Sequence, residues 1–223
     1  KVGFKKLINL YFIFFLICFQ GFIGWYMVSS GLIDRVDVSH FRLSVHLVIA
    51  FLILSLIFWN YLILKNFSNT KKKLNSIIPY IFLFVIFLQI TIGAFVSGMD
   101  AGKIYNSWPL MGTTYFPNDN EYFNLLSFSA FSDASLVQFM HRNIAYIILV
   151  IYLYIVFVIY RNNISALFDT IKLIGFLLII QIVLGILTLL SGAQIFLASM
   201  HQISSIFLVS SSIFFLYLNN DSN

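Results

Sequence analysis

The apolar positions of the chain form six continuous runs, each long enough to cross a lipid bilayer as a helix. The runs cover residues 7–29, 42–64, 76–97, 137–160, 170–190 and 197–218. A helix needs about 20 apolar residues to span the hydrocarbon core, whereas membrane barrels show short segments of alternating polarity. The pattern therefore predicts an all-α fold: a polytopic membrane bundle of six transmembrane helices.

Composition supports the same fold class. Hydrophobic residues make up 61% of the 223 positions and charged residues only 9%. A water-soluble domain of this size needs more polar surface, so lipid is the expected solvent. The single cysteine, Cys18, excludes an intrachain disulfide, and we expect its side chain to be buried as a small apolar group.

Basic residues predict the orientation of the spans. With the N-terminus of the chain in the cytoplasm, nine basic residues lie inside and four outside. The inner ones are Lys1, Lys5, Lys6, Lys65, Lys71, Lys72, Lys73, Arg161 and Lys172; the outer ones are Arg35, Arg42, Lys103 and Arg142. This distribution follows the positive-inside rule. It also accounts for the net charge of +5, and we expect no nucleic-acid partner.

One predicted outer loop is long, at residues 98–136. Long loops without structure of their own are often functional. We expect a short amphipathic helix on the membrane surface within it, around residues 120–130.

An internal repeat links the first and fifth spans. Glutamine, glycine, serine and glycine recur at offsets of 0, 4, 10 and 11, as Gln20, Gly24, Ser30 and Gly31 and again as Gln181, Gly185, Ser191 and Gly192. The third span carries a weaker copy: Gln89, Gly93, Ser97 and Gly98. Small residues at this spacing let helices approach closely in lipid, but four matched offsets favour duplication.

The repeat divides the chain into two parts. Residues 74–223 are predicted to form a complete four-helix unit, and residues 1–73 the second half of another. Since the chain does not begin with Met, we expect a longer parent of eight helices in two pseudo-symmetric halves. Repeats that run in the same direction are related by an axis along the membrane normal.

Three histidines share a similar shallow depth near the predicted outer face: His46, His141 and His201. Ionisable residues inside spans are costly and are usually functional. A haem iron takes two imidazoles from opposite sides, and a helix bundle holds the flat ring between them. Zinc would need three or four convergent ligands, which the sequence does not show. His40 lies outside its span, and we assign it no ligand role.

Two arginines accompany these histidines. Arg142 follows His141, and Arg42 lies one turn before His46. Guanidinium groups at the bilayer edge suit haem propionates. They equally suit lipid phosphates, and the sequence does not choose between the two.

Several strings resemble the haem A synthase family. They are GWYMVSSGL (24–32), HFRLSVHLVIAF (40–51), GAFVSGMDAGKIYNSWPLMG (93–112), VQFMHRNIAY (137–146) and SMHQ (199–202). The resemblance covers nearly the whole chain. The absence of loop cysteines is similar to the proteobacterial and mitochondrial branch. Against that family's eight helices, this chain would lack the first two, so we expect the fragment alone to be inactive.

The resemblance implies an oxidoreductase that converts a methyl group of haem O to a formyl group by successive hydroxylations, giving haem A for terminal cytochrome oxidases. It implies that His141 and His201 are axial ligands of a haem b. It further implies that His46 is a catalytic residue and a ligand of substrate haem. Arg42 and Arg142 are candidate cofactor-binding residues because of their guanidinium groups, not because of the resemblance.

The resemblance also suggests partners and a location. We expect haem O, the lipid bilayer and an electron donor that the sequence does not identify, together with haem O synthase, cytochrome oxidase assembly factors and self-association. The bias toward Lys, Asn, Ile and Phe favours a bacterial inner membrane over a mitochondrial one.

Other functions remain open from the residues themselves. A b-type membrane cytochrome acting only in electron transfer would use the same histidines, although haems near both faces would suit transfer across the bilayer. A transporter would favour buried charges at the midplane, and none is visible. A structural subunit would not need three matched histidines.

Overall fold

The computed structural model describes residues 4–31, 38–65, 67 and 73–220. At residues 4–6, 30 and 31 it describes the backbone alone. Six long helices account for most of this part of the chain. They are α1 (Phe4–Gly31), α2 (His40–Lys65), α3 (Ile77–Gly98), α4 (Ala134–Arg161), α5 (Phe168–Leu190) and α6 (Ile195–Asn219).

All six helices are long and apolar enough to cross a membrane, which confirms the predicted fold class and the six spans. Several helices extend beyond their apolar runs. The 28 residues of α4 correspond to about 42 Å at 1.5 Å per residue, more than the hydrocarbon thickness. The carboxylate of Asp133 accepts a hydrogen bond from the Leu136 N–H and so caps the start of α4.

Consecutive helices pack as three hairpins: α1 with α2, α3 with α4, and α5 with α6. Helices α3, α4, α5 and α6 form a closed ring in which each contacts the next and α6 returns to α3. Helix α2 packs on both α3 and α6, and α1 packs chiefly on α2. Helix α6 is accordingly the most buried, with Val209 and Phe215 fully enclosed. The division of the chain at residue 73, into half of one four-helix unit and the whole of a second, stays a prediction.

Helix α1 is the most exposed of the six. The rings of Phe15, Phe19 and Phe22 follow one another along its surface with centroids about 6 Å apart. Cys18 is also exposed, so the expectation of a buried cysteine is wrong. Because α1 contacts little beyond α2, most of its faces have no protein cover within the described residues.

Several hydroxyl groups inside the spans bond to their own helices. Ser55, Thr91 and Thr188 each donate to the carbonyl oxygen four residues earlier. This local bond satisfies a polar side chain where lipid offers no partner.

Helices α2 and α3 approach each other closely at one end of the bundle. A β-carbon at Gly98 would lie 2.9 Å from Cα of His40. Only glycine leaves room for the α2 backbone here. This end, where α2, α4 and α6 begin and α1, α3 and α5 end, is called the histidine end below.

The α3–α4 loop (residues 99–133) is folded but contains no α-helix. Two 3₁₀ helices, Tyr122–Leu126 and Phe128–Ser132, replace the single amphipathic helix expected at 120–130. The extended backbone of Ser127 separates them. The Asn120 amide donates to the Asp133 carboxylate and draws the ends of the segment together, which favours tight turns over a continuous helix.

Candidate functional site

Each hairpin places one histidine about two turns into its second helix. His46 lies on α2, His141 on α4 and His201 on α6, and all three side chains are half-buried at the histidine end. Their equal depth was expected from the sequence. The structure adds that each ring packs against the preceding helix of its own hairpin.

A glycine on the preceding helix packs against each imidazole ring. A β-carbon built at Gly24 would lie 3.1 Å from Cε1 of His46. At Gly93 the corresponding distance to Cε1 of His141 is 3.0 Å, and at Gly185 it is 3.1 Å to Cε1 of His201. A side chain at any of these positions would press on the ring. The repeated glycines therefore serve the histidines as well as the helix packing.

A glutamine one turn before each glycine completes the arrangement. The amide nitrogen of Gln20 lies 3.2 Å from Nε2 of His46, and that of Gln89 lies 3.3 Å from Nε2 of His141. An amide nitrogen only donates, so each contact is a hydrogen bond when Nε2 carries no proton.

The third hairpin differs in one respect. The hydroxyl of Ser204 donates to Oε1 of Gln181, which takes that side chain away from the histidine.

Buried polar atoms without hydrogen-bond partners within the described residues gather at this site. They are Nδ1 of His46, His141 and His201, Oε1 of Gln20, Gln89 and Gln138, and Nε of Arg142. Buried polar groups are normally satisfied, so each exception calls for an explanation. A cluster of them around three imidazoles is typical of a site built for a bound group.

His141 and His201 lie on helices of one ring, and His46 lies on a helix outside it. The first two are on α4 and α6, within the ring of α3 to α6. His46 lies on α2, outside that ring. Within the described part of the chain, no three His, Cys, Asp or Glu side chains converge as they would on a bare metal ion.

The two arginines have different surroundings. The guanidinium of Arg42 lies 5.0 Å from the ring centroid of Tyr26 on α1. The guanidinium of Arg142 donates to three main-chain carbonyls of the α3–α4 loop: Ser107 at 2.9 Å, Tyr105 at 3.0 Å and Leu110 at 3.3 Å. Arg142 thus anchors the loop beside His141.

Gln138, one turn before Arg142, also holds the loop. Its buried amide nitrogen donates to the Tyr105 carbonyl at 3.0 Å. Further along α4, Asn143 accepts from the Tyr115 hydroxyl, and the hydroxyl of Tyr146 accepts from the Trp108 indole. The first part of α4 therefore carries a histidine and holds the loop beside it.

Tyr105 and Asp119 form a titratable pair within the loop. The Tyr105 hydroxyl donates to Asp119 at 2.9 Å, and the Ser135 hydroxyl donates to its other oxygen at 2.6 Å. Burial by itself would raise the pKa of the Asp119 carboxyl, but the bonds from Ser135 and Tyr105 outweigh it and hold the pKa below its usual value. Burial and the Asp119 carboxylate together raise the pKa of Tyr105.

Comparison with protein families matches residues 4–213 to COX15-CtaA, described as a cytochrome oxidase assembly protein. The chain belongs to the COX15-CtaA family. Its relatives include proteins named "Heme A synthase" from Pelagibacter ubique (strain HTCC1062), 46% identical over 95% of this chain, and from Rickettsia bellii (strain OSU 85-389), 38% identical over 92%. The chain spans about three fifths of the length of these relatives, 62% in both cases.

Membership of the COX15-CtaA family confirms the resemblance drawn from the motifs. Sequence reasoning missed two features of the site in this family member. It took the repeated glycines as packing residues, although each faces a histidine, and it did not assign Arg142 and Gln138 to the loop. The first was detectable, because the glutamine and glycine repeat precedes every histidine-bearing helix.

Proposed function

We propose that this chain is part of a haem A synthase, which oxidises a methyl group of haem O to the formyl group of haem A by successive hydroxylations. The observation that carries the proposal is the threefold Gln–Gly–His arrangement at one end of a membrane bundle, with His141 and His201 on two helices of the same four-helix ring. The relatives named "Heme A synthase" supply the reaction.

The residues fit a haem b between α4 and α6. His141 and His201 come from opposite corners of the helix ring, and bundles bind haem through side chains on facing helices. Their Nδ1 atoms are buried without hydrogen-bond partners among the described residues, which supports a role for these rings beyond packing. Two neutral imidazoles would hold the group, and the apolar surroundings would exclude water from it. The haem would supply reversible one-electron chemistry at that position.

His46 is proposed to act at a second site that holds haem O. The same glycine and glutamine contacts orient its ring, but it lies on α2 outside the ring of α3 to α6. Its role would be to hold the substrate porphyrin so that the reacting methyl group is positioned, since placement of a bound reactant lowers the barrier substantially.

Arg42 and Arg142 keep their proposed role beside the haem propionates. Arg142 already donates to loop carbonyls through its terminal nitrogens, and its Nε lacks a hydrogen-bond partner among the described residues. Its contribution to a propionate would come through Nε or through the loop that it holds.

Location and partners follow from the same proposal. We place the protein in a bacterial inner membrane with the first residue of this chain on the cytoplasmic side, because basic residues favour that side. An electron donor is required by the chemistry. Haem O synthase, cytochrome oxidase assembly factors and self-association are the remaining proposed contacts.

Replacing the histidines one at a time tests this assignment. In protein purified with the rest of its natural sequence, His141→Ala and His201→Ala should each abolish the low-spin b-type haem spectrum. His46→Ala should keep that spectrum but stop haem A formation in cells. His40→Ala, at the start of the same helix as His46, is the matched control and should leave both readouts unchanged.

Two outcomes would contradict the proposal. A spectrum that survives both His141→Ala and His201→Ala would remove the ligand assignment. Normal haem A in His46→Ala cells would remove the substrate site and favour the alternative, a b-type cytochrome acting only in electron transfer.

A further inference from the structure

The three glycines at positions 24, 93 and 185 make one repeated contact that helix packing does not require. In each hairpin the nearest atoms to a β-carbon at the glycine all belong to the imidazole, at about 3.1, 3.6 and 3.9 Å for Cε1, Nδ1 and Nε2 of His46. The distances at Gly93 and Gly185 agree within 0.1 Å. Neighbouring backbone, which would mark a simple close approach of helices, does not appear among these nearest atoms.

The position of each glycine along its helix explains what the contact does. Gly93 follows Gln89 by one turn, so the two residues share a helix face. The carbonyl of Gln89 points along the helix toward position 93. A side chain at 93 would cover that carbonyl, whereas glycine leaves it open to a neighbouring helix.

The rings of His141 and His201 pack against Gly93 and Gly185, beside this stretch of main chain. Nδ1 of each ring is buried and has no partner of regular hydrogen-bond geometry among the described residues. Histidines that bind metals almost always direct their second nitrogen to a carbonyl or carboxylate, which fixes the ring orientation and raises its basicity.

We propose that Gly93 and Gly185 are positioning residues: each admits the edge of its histidine to the main chain of the glutamine one turn earlier and thereby sets the orientation and donor strength of a haem ligand. Gly24 makes the matching contact with the ring of His46. This inference rests on the proposed function, because the ligand role of the histidines does.

Measuring the stability of the haem-free protein distinguishes a glycine that positions the imidazole ring from a glycine that only lets helices pack. Gly93→Ala should destabilise the protein when His141 is present. The added methyl should cost nothing when it is introduced together with His141→Ala, since the atom that it meets is then absent. Gly21→Ala is the matched control, because a β-carbon at Gly21 meets nothing within 4 Å. An equal cost of Gly93→Ala in both backgrounds would overturn the proposal.

Redox and electron paramagnetic resonance measurements on the haem-loaded protein test the effect on the ligand. Gly93→Ala and Gly185→Ala should each raise the midpoint potential of the b-type haem and shift the largest g value of its low-spin ferric signal. A weaker ligand donor stabilises ferric iron less, which gives the sign of the potential change. Gly24→Ala should leave both readouts at wild-type values while lowering haem A formation.

The outcomes distinguish this inference from the function on which it rests. A wild-type potential and g value in both Gly93→Ala and Gly185→Ala, in folded protein with full haem content, would overturn the positioning role and leave the ligand assignment intact. Wild-type protein without any low-spin haem would overturn the proposed function instead. In that case, the stability of Gly93→Ala with and without His141→Ala would still measure the contact between the glycine and the imidazole ring.

Discussion

Arg142 donates a hydrogen bond of 3.0 Å from its guanidinium to the main-chain carbonyl of Tyr105, so the residue after His141 holds the α3–α4 loop. Two further bonds from the same group reach Ser107 and Leu110. A planar group with several donors suits such a cluster of carbonyls, and a lysine ammonium does not reproduce it.

Arg142→Ala should therefore loosen the loop. Hydrogen bonds from charged donors contribute about 1.5 to 3 kcal/mol each when a partner is removed, so amide hydrogen exchange at residues 104–112 should accelerate clearly. Arg142→Lys should recover only part of the protection. Arg161→Ala, at the opposite end of α4, is the control. Unchanged exchange in Arg142→Ala would show that Gln138 and the aromatic contacts suffice.

The Asp119 carboxylate should make the stability of the loop pH-dependent. Its pKa in the folded protein lies below the ordinary value of 3.8, so the ionised form stabilises the fold at neutral pH and this stabilisation is lost as the pH falls through the folded value. Wild type should melt above Asp119→Asn at pH 7, and the difference should shrink below about pH 3.8. Asp100→Asn, which removes an exposed pair with Lys103, is the control. A difference that does not change with pH would contradict this account.

Ionisation of Tyr105 limits the stability that the Tyr105–Asp119 pair contributes at high pH. Its pKa is raised above 10.0, first by burial and then by Asp119, so the neutral hydroxyl contributes stability below pH 10 that is lost as the pH rises through the folded value. Tyr105→Phe should melt below wild type at pH 7, and the gap should close in strong alkali. Tyr122→Phe, an exposed tyrosine of the same loop, should show no such gap.

Gly175 provides a packing test far from the histidines. A β-carbon there would lie 2.0 Å from the hydroxyl oxygen of Tyr152, which donates to the Ile171 carbonyl at 3.1 Å. Overpacking of this kind costs about 1 to 3 kcal/mol, so Gly175→Ala should lower the free energy of unfolding in mixed micelles by that amount. The cost should fall in a Tyr152→Leu background. An equal cost in both backgrounds would place the strain elsewhere.

Asn219 joins the end of α6 to the start of the segment before α3. Its buried side chain accepts from the Leu74 N–H at 2.8 Å and donates to the Leu74 carbonyl at 3.2 Å. Asn219→Leu leaves both main-chain groups buried and unpaired, which costs about 1 to 3 kcal/mol each. The unfolding free energy should fall accordingly, whereas Ser205→Ala should change little, because this half-buried hydroxyl bonds only to the Gln202 carbonyl of its own helix.

Local chemistry explains which features were predictable. The six spans follow from continuous apolar runs, because lipid requires helices with internally satisfied backbones. The equal depth of the three histidines follows from their similar places in parallel helices. The loop was less predictable: Ser127 divides the expected helix at 120–130 because the bond between Asn120 and Asp133 closes the segment on itself.

The sequence alone determined that lipid surrounds this protein, and it determined the six spans, the repeat and the similar depth of the three histidines, since each of these is encoded by composition or by spacing along one helix. Only the tertiary structure decided that the helices of His141 and His201 belong to one ring while the helix of His46 lies outside it, that a glycine packs against each imidazole ring, and that Arg142 anchors the loop. These relationships depend on which helices become neighbours. That choice is made by packing between residues far apart in the chain, and no local pattern records it.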